Sequence, residues 1–327
     1  MENGREDQPD EREGRSTTQS EAREAERPGM DAGASDGAGA GAALDINPGA
    51  GVMAEIDPFQ VARLRGLGII PQNDRPPFDI IGDVHGCIEE LRELLDKLGY
   101  ARVSGEGSEA YAHPQGRRLV FVGDLEDRGP ASMAVLRLVI ATRDAGHALL
   151  VIGNHDNKFL RWLRGRNVRI GHGLEKTIEQ LDAVPQPRRA ALRDQIEALY
   201  ATAPGYLLLD GGRLVVTHGA ILDSMIGEWN ERIANFCLYA DVVGRAADGR
   251  PIRRDWGAAR DLAAAGGDRA PYIVYGHNPV PELSWVNRTL DLDTGAVYGG
   301  HLSALRYPEL ETVQVAARRA YSTHKHV

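Results

Sequence analysis

Phe78-Asp79-Ile80-Ile81-Gly82-Asp83-Val84-His85-Gly86 sets a short apolar run directly against a glycine-flanked Asp and His. Four further runs end in the same way. Leu119–Val122 leads into Gly123-Asp124-Leu125-Glu126-Asp127-Arg128-Gly129, and Ala148–Ile152 into Gly153-Asn154-His155-Asp156. Leu214–Val216 leads into Thr217-His218-Gly219, and Tyr272–Tyr275 into Gly276-His277-Asn278. Runs that are apolar at nearly every position are expected of strands buried on both faces. Ligands bind beyond the carboxyl ends of strands in open α/β sheets, so five such loops can converge on one point. They bring together Asp83, His85, Asp124, Asn154, His218 and His277 as candidate metal ligands. Carboxylate, imidazole and amide oxygen without thiolate suit Mn²⁺, Fe or Zn²⁺ in a catalytic site, not a structural zinc site. The flanking glycines let the backbone turn sharply and leave room for metal and phosphate. One Gly-Asp pair would be most simply a turn or helix cap, and one His a core or surface residue. Five clusters, each behind its own strand, are not explained that way.

Around these clusters the chain reads as one α/β domain from about 56 to 320. Ile88–Leu98 places Ile88, Leu91, Leu94, Leu95 and Leu98 on one helical face. Pro130 suits the first turn of a helix running to about Arg143. Residues 172–200 read as two helices broken near Pro185 and Pro187, and about 165–210 is a candidate helical cap over the site. Tyr111–Arg117 reads as a turn between short strands, and Thr289–Ala317 alternates in strand fashion between glycine-rich turns.

Residues 1–50 hold 5 Lys and Arg against 12 Asp and Glu, a balance of −7 within the chain's −9. With the run Asp36–Ala43, residues 1–55 are expected to be a disordered acidic tail, because they hold too little apolar surface to offset ordering. An acidic interaction tail of unknown partner, or translation starting at Met30 or Met53, are the alternatives. Residues 321–327 are expected to be a second tail. The remainder is close to neutral, which gives no global basic footprint for nucleic acid. A local one is offered by Arg161–Arg169, with Trp162 as a base-stacking candidate. The two cysteines, Cys87 and Cys237, are expected to be reduced thiols. Neither a membrane span nor a signal peptide is evident, so a cytoplasmic protein is expected.

The five clusters resemble the PPP-type branch of the calcineurin-like metallophosphoesterases, and more narrowly the phosphatase domain of bacterial polynucleotide kinase-phosphatases. That narrower likeness runs through Arg164–Val168, His172–Leu181, Trp285–Thr289, Asp293-Thr294-Gly295 and Gly299–Glu309. The resemblance implies a central β-sandwich of mixed sheets flanked by helices. It implies two divalent metals, Mn²⁺ before Fe, Zn²⁺ or Ni²⁺, with Asp124 bridging them. Asp83 and His85 would complete the first metal site, and Asn154, His218 and His277 the second. Arg128 would clamp phosphate, and His155, held by Asp127, would protonate the leaving oxygen. Asp293 would line the site, with Arg128 and Asn154 as its partners in substrate binding.

Two metals can activate water and stabilise both oxygens of an in-line displacement, and a forked Arg fits spread phosphoryl charge better than Lys. The expected reaction is therefore phosphoester hydrolysis by direct attack of metal-bound hydroxide, on nucleotides or RNA ends. Serine/threonine protein phosphatase and dinucleoside-tetraphosphate hydrolase are the alternatives, so the substrate is a phosphorylated small molecule, an RNA end or a phosphoprotein. A non-catalytic module is disfavoured because no ligand of the pattern is missing. No Gly-x-x-x-x-Gly-Lys-Ser/Thr loop is found, so a kinase half is not expected. Glu126 stands where the pattern has Val or Ile; it reads as a solvated loop side chain, or alternatively as a carboxylate aimed at the site. His172 reads first as a helix-terminal residue and alternatively as a phosphate contact, and His301 and Arg306 read as substrate contacts or as supports of their loop.

Overall fold

The structure is a computed structural model and describes residues 56–105 and 108–323. The acidic tail expected over 1–55 lies outside the described residues. After an opening helix α1 (Pro58–Gly66), the chain forms β1 (Phe78–Ile81), α2 (Ile88–Leu98), a hairpin β2 (Ala101–Gly105) and β3 (Ser108–Ala112), and β4 (Arg118–Phe121). Next come α3 (Ser132–Asp144), β5 (Ala148–Leu150), α4 (Asn154–Leu163), α5 (Leu174–Asp182) and α6 (Arg188–Ala201). β6 (Tyr206–Leu209), β7 (Leu214–Thr217), α7 (Glu231–Tyr239) and a hairpin β8 (Val242–Arg245) and β9 (Pro251–Arg253) follow. The chain closes with β10 (Tyr272–Tyr275), β11 (Trp285–Val286), β12 (Thr289–Asp291), β13 (Asp293–Thr294), β14 (His301–Tyr307) and β15 (Glu311–Ala316).

Two mixed sheets face each other. The first runs β13-β14-β1-β4-β5 with β15 on β14, and the second runs β11-β12-β10-β7-β6. β1, β4 and β5 are mutually parallel, as are β7, β10 and β12. The two-residue period of a strand, with both faces covered, explains why these runs are apolar at nearly every position. Phe78, Ile80, Val120 and Val122 point between the sheets, where they meet Leu214, Val216 and Val274. Ile81, Leu119 and Phe121 point the other way, into a core shared with the helices. Val215 and Ile273 face a third core under α1 and α7. Each of these apolar strand residues therefore has apolar neighbours on its own side.

α2 matches its sequence reading residue for residue. Its five apolar positions are buried, and it stops at Gly99, whose φ of +88° suits a residue without a Cβ. α3 starts at Ser132, not at Pro130, because Ala131 is not helical (φ −143°, ψ 50°) and donates to the Gly86 carbonyl at 3.1 Å. That bond ties the Arg128 loop to the His85 loop. The segment read as a candidate cap is built as α5 and α6. Leu174, Leu181, Leu192, Ile196, Leu199 and Tyr200 pack from it into the core under α3 and α4, so these helices back the site instead of covering it. Of the tail expected over 321–327, residues 324–327 lie outside the described residues, while its start is packed. Tyr321 donates from its hydroxyl to Glu90 and from its backbone to Val297. No helix among the described residues is long and apolar enough to cross a membrane.

Candidate active site

The carboxyl ends of β1, β4 and β5 from one sheet, and of β7 and β10 from the other, come together at one rim of the sandwich. Asp124 sits at the centre, buried, with its backbone in the left-handed region (φ +50°). Its Oδ2 lies 3.5 Å from His85 Nε2 and its Oδ1 lies 3.4 Å from His218 Nε2. One carboxylate thus faces two separate imidazoles. His85, Asp124 and His155 present ligand atoms within 4.8 Å of one another, and so do Asp124, His218 and His277. Asn154 Oδ1 sits inside the second group, 2.9 Å from His218 Nε2 and 2.8 Å from His277 Nδ1.

Tautomers follow from the partners. A carbonyl only accepts, so His85 donates from Nδ1 to the Glu126 carbonyl (2.7 Å) and His218 from Nδ1 to the Val122 carbonyl (3.0 Å). Both rings are left with an Nε2 lone pair aimed at the cluster, the arrangement that ligand histidines require. Two arginines stand against the imidazoles. Arg128 donates to His85 Nε2 at 2.5 Å, and Arg253 Nη2 is 3.0 Å from His277 Nε2. Ligation through His277 Nδ1 therefore needs its other tautomer, with Arg253 displaced.

The loops have little freedom. His85, Asp127, Arg128 and His277 also have positive φ, strain of the kind that gathers at functional sites. Asp156, in the first turn of α4, accepts from the backbone of Gly153 (2.7 Å), Asp124 (3.0 Å) and Leu125 (3.0 Å), locking two loops together. A Cβ on Gly276 would collide with the Asp83 carboxylate, and one on Gly153 with that of Asp124. Asp83 itself accepts from the His277 backbone at 3.2 Å. His155 Nδ1 lies 2.6 Å from Asp127 Oδ2, and the other Asp127 oxygen takes the Thr177 hydroxyl at 2.6 Å. Asp293 is buried beside Asp83, its Oδ1 accepting from Gly295 at 3.0 Å.

The donor set fits two divalent cations. Burial, then repulsion from Asp293, Asp124 and Asp291, holds the Asp83 carboxyl well above the usual carboxylate range. Burial and the nearby Asp156 do the same to Asp124, and burial lifts Asp293 to about 6. Burial also drives His85 and His277 well below the ordinary imidazole value, and His218 to about 3. Crowded buried carboxylates beside neutral imidazoles are the arrangement a cation would relieve.

A stability prediction follows from the signs. Carboxylates with raised folded pKa favour the fold below about pH 4, and that contribution is lost as pH rises through about 6. At pH 7.5 the metal-free protein carries the whole of the Asp293 penalty, while the imidazoles are neutral folded or unfolded and add no slope. Manganese should therefore raise the melting temperature by about 5 °C or more at pH 7.5. The gain should shrink as pH falls from 6 towards 4. Thermal unfolding in manganese and in chelator across this range checks it; equal melting temperatures at pH 7.5 would contradict it.

Glu126 departs from both sequence readings. It is fully buried and its Oε2 accepts from the Tyr200 hydroxyl, because Tyr200 reaches up from α6 through the core. Trp162 is stacked on Phe159 with Arg193 over its face, and is not free for bases. Arg306 lies 3.5 Å from Asp79, among structural groups, and His301 is exposed. Arg253 escaped the sequence reading, since nothing in Pro251–Arg254 resembles a motif. Thr177 and Asp156 lay inside quoted motifs without an assigned task.

A family model for the calcineurin-like phosphoesterases matches residues 76–302. The chain belongs to that family. Bis(5'-nucleosyl)-tetraphosphatase PrpE (asymmetrical) of Anoxybacillus flavithermus is 44% identical over 249 residues, covering 76% of this chain and 97% of the relative. The protein of the same name from Bacillus subtilis is 44% identical over 245 residues, covering 75% and 96%. These relatives bear the name of dinucleoside tetraphosphatases, so the narrower likeness to polynucleotide kinase-phosphatases is not what the similarity singles out. Among solved structures, one provisionally assigned as a diadenosine tetraphosphatase superposes with TM-score 0.53 at 20% identity, covering 76% of this chain and 97% of that one. A protein serine/threonine phosphatase from Saccharomyces cerevisiae superposes at 0.50 with 14% identity, covering 82% and 90%. At these identities the structures speak to the fold, which is the mixed β-sandwich flanked by helices. The chain is thus a metallophosphoesterase, a hydrolase of a family that implies divalent metal ions.

Proposed function

We propose that the chain hydrolyses dinucleoside tetraphosphates into unequal nucleotides with two manganese ions. The observation that carries the two-metal reading is Asp124, with one carboxylate oxygen facing each imidazole group. The substrate reading is supported by 44% identity over nearly the full length of a tetraphosphatase relative. Asp83 and His85 would hold one cation and Asn154, His218 and His277 the other, with Asp124 shared. Fe, Zn²⁺ and Ni²⁺ are compatible with the same ligands. When bound, the two ions supply an activated water and neutralise phosphate charge.

The remaining work falls to side chains. Arg128 and Arg253, which stand against His85 and His277, would turn to the phosphoryl oxygens from opposite edges. Asn154 and Asp293 would line the pocket in which the reacting phosphate sits. His155, oriented by Asp127 and Thr177, would give a proton to the departing oxygen. The test is product analysis with manganese-loaded protein on a dinucleoside tetraphosphate, a 2',3'-cyclic nucleotide and a phosphothreonine peptide. Preference for the first, with unequal nucleotides released, is expected. Preference for the cyclic nucleotide or the peptide would overturn the substrate and leave the metal centre intact.

A further inference from the structure

Arg128 has company on its side of the site. Lys158 lies one turn beyond His155 on α4, and its Nζ donates to the Gly171 carbonyl at 2.7 Å. Gly173 packs so tightly on Arg128 that a Cβ there would overlap the Arg128 backbone, and Lys176 Nζ donates to the Arg128 carbonyl at 2.9 Å. The loop before α5 is therefore fastened both to Lys158 and to Arg128, and it presents Arg169 and His172 at the surface. These groups are near enough to repel one another. Burial, then Lys158, Arg128 and Arg169, lowers the pKa of His172. Two acids act on Lys158, Asp127 and Glu175, while Arg128 also faces Asp124 and Asp293 on the metal side. Asp127 is committed to His155 and Thr177, and Glu175, which accepts from the Gly173 backbone at 3.2 Å, is left as the counter-charge to Lys158 and His172.

Cations held together beside a catalytic arginine, with few acids to balance them, fit a ligand carrying several linked negative charges. We propose that Lys158, Arg169 and His172 form a subsite for the phosphates that are not being transferred, so that a polyphosphate chain runs from the metal centre past Arg128. The inference rests on the tetraphosphate reading, because a simple monoester has no further phosphate to place there. It gives the Arg-rich stretch of the sequence a direction, towards the site through Arg169. Arg164 is instead paired with Glu197 on α6, 2.8 Å away.

Arg169→Gln tests it, since Arg169 is exposed and a melting curve can verify the fold. With manganese-loaded full-length protein, KM for a dinucleoside tetraphosphate should rise about fivefold and kcat should stay within about twofold. Hydrolysis of p-nitrophenyl phosphate should be unchanged, and Arg169→Lys should recover most of the loss. Inorganic tripolyphosphate, as a competitive inhibitor of p-nitrophenyl phosphate hydrolysis at fixed free manganese, should bind the Gln variant about fivefold more weakly. Equal effects on both substrates, or none on either KM or tripolyphosphate inhibition, would overturn the subsite. If the wild type cleaved p-nitrophenyl phosphate but no tetraphosphate, the functional reading would fall, and the tripolyphosphate inhibition would decide the subsite by itself.

Discussion

Asp124→Asn should lower turnover by about a thousandfold or more, on the order of 4 kcal/mol, and remove one metal ion in preference to the other. The geometry dictates which one. Asp124 Oδ1 accepts from the His155 backbone N–H at 3.0 Å and faces His218, while Oδ2 faces His85. An amide keeps the His155 bond only by placing its oxygen at the Oδ1 position. Its NH₂ then points at the His85 side, where it offers no lone pair. The His218, His277 and Asn154 group retains an oxygen ligand, and the His85 and Asp83 group does not. Metal analysis after dialysis should give close to one ion per chain in place of two. Asp124→Ala leaves neither oxygen and should lose both. Normal manganese-dependent turnover in Asp124→Asn would refute the bridging assignment outright. Two ions in the Asn variant without turnover would confine Asp124 to a role other than bridging.

Much of this centre was legible in the sequence because each of its pieces is local. Phe78–Ile81 and Tyr272–Tyr275 coincide with β1 and β10, since apolar neighbours on both sides of a strand leave an almost continuous apolar run, broken in β1 only by Asp79, which is buried against Arg117. The polar clusters follow the strands they belong to. What was not legible depends on contacts between distant segments. Glu126 looks like a loop acid until Tyr200, 74 residues later, is seen to meet it in the core. Arg253 lies on a hairpin whose Val242 and Ile252 are exposed, so neither apolar alternation nor a motif marks it. Pro130 misplaced a helix start because the bond from Ala131 to Gly86 is tertiary, and it holds the turn open for two more residues. The segment read as a cap was identified correctly as helical, but its apolar faces, which send Leu192 and Ile196 into the main core, decide where it packs.

His155→Asn should produce a loss that depends on the leaving group. Its Nδ1 lies 2.6 Å from Asp127, a carboxyl that burial lifts to about 6 and that Thr177 steadies. Burial, then Arg128 and Lys158, drives the His155 ring well below its ordinary pKa. A bound phosphate pairs with those cations, cancels part of their repulsion and moves the ring back towards protonation, so it can act as an acid when substrate is present. Proton donation matters in proportion to the basicity of the departing oxygen. An alkyl phosphate expels an alkoxide, and the variant should lose about 10²–10⁴-fold with it. A tetraphosphate expels a phosphate oxygen whose second pKa is about 6, which needs little help. There the loss should be about tenfold or less, as it should be with p-nitrophenyl phosphate. Asp127→Asn should show the same pattern with a smaller amplitude, since it keeps an acceptor for the ring but removes the charge that supports the imidazolium. Steady-state rates on the three substrate types separate the readings. A loss of equal size on all three would mean that His155 serves as a ligand or scaffold beside His85 and Asp124, whose ligand atoms are within 4.8 Å of its own, and not as the proton donor.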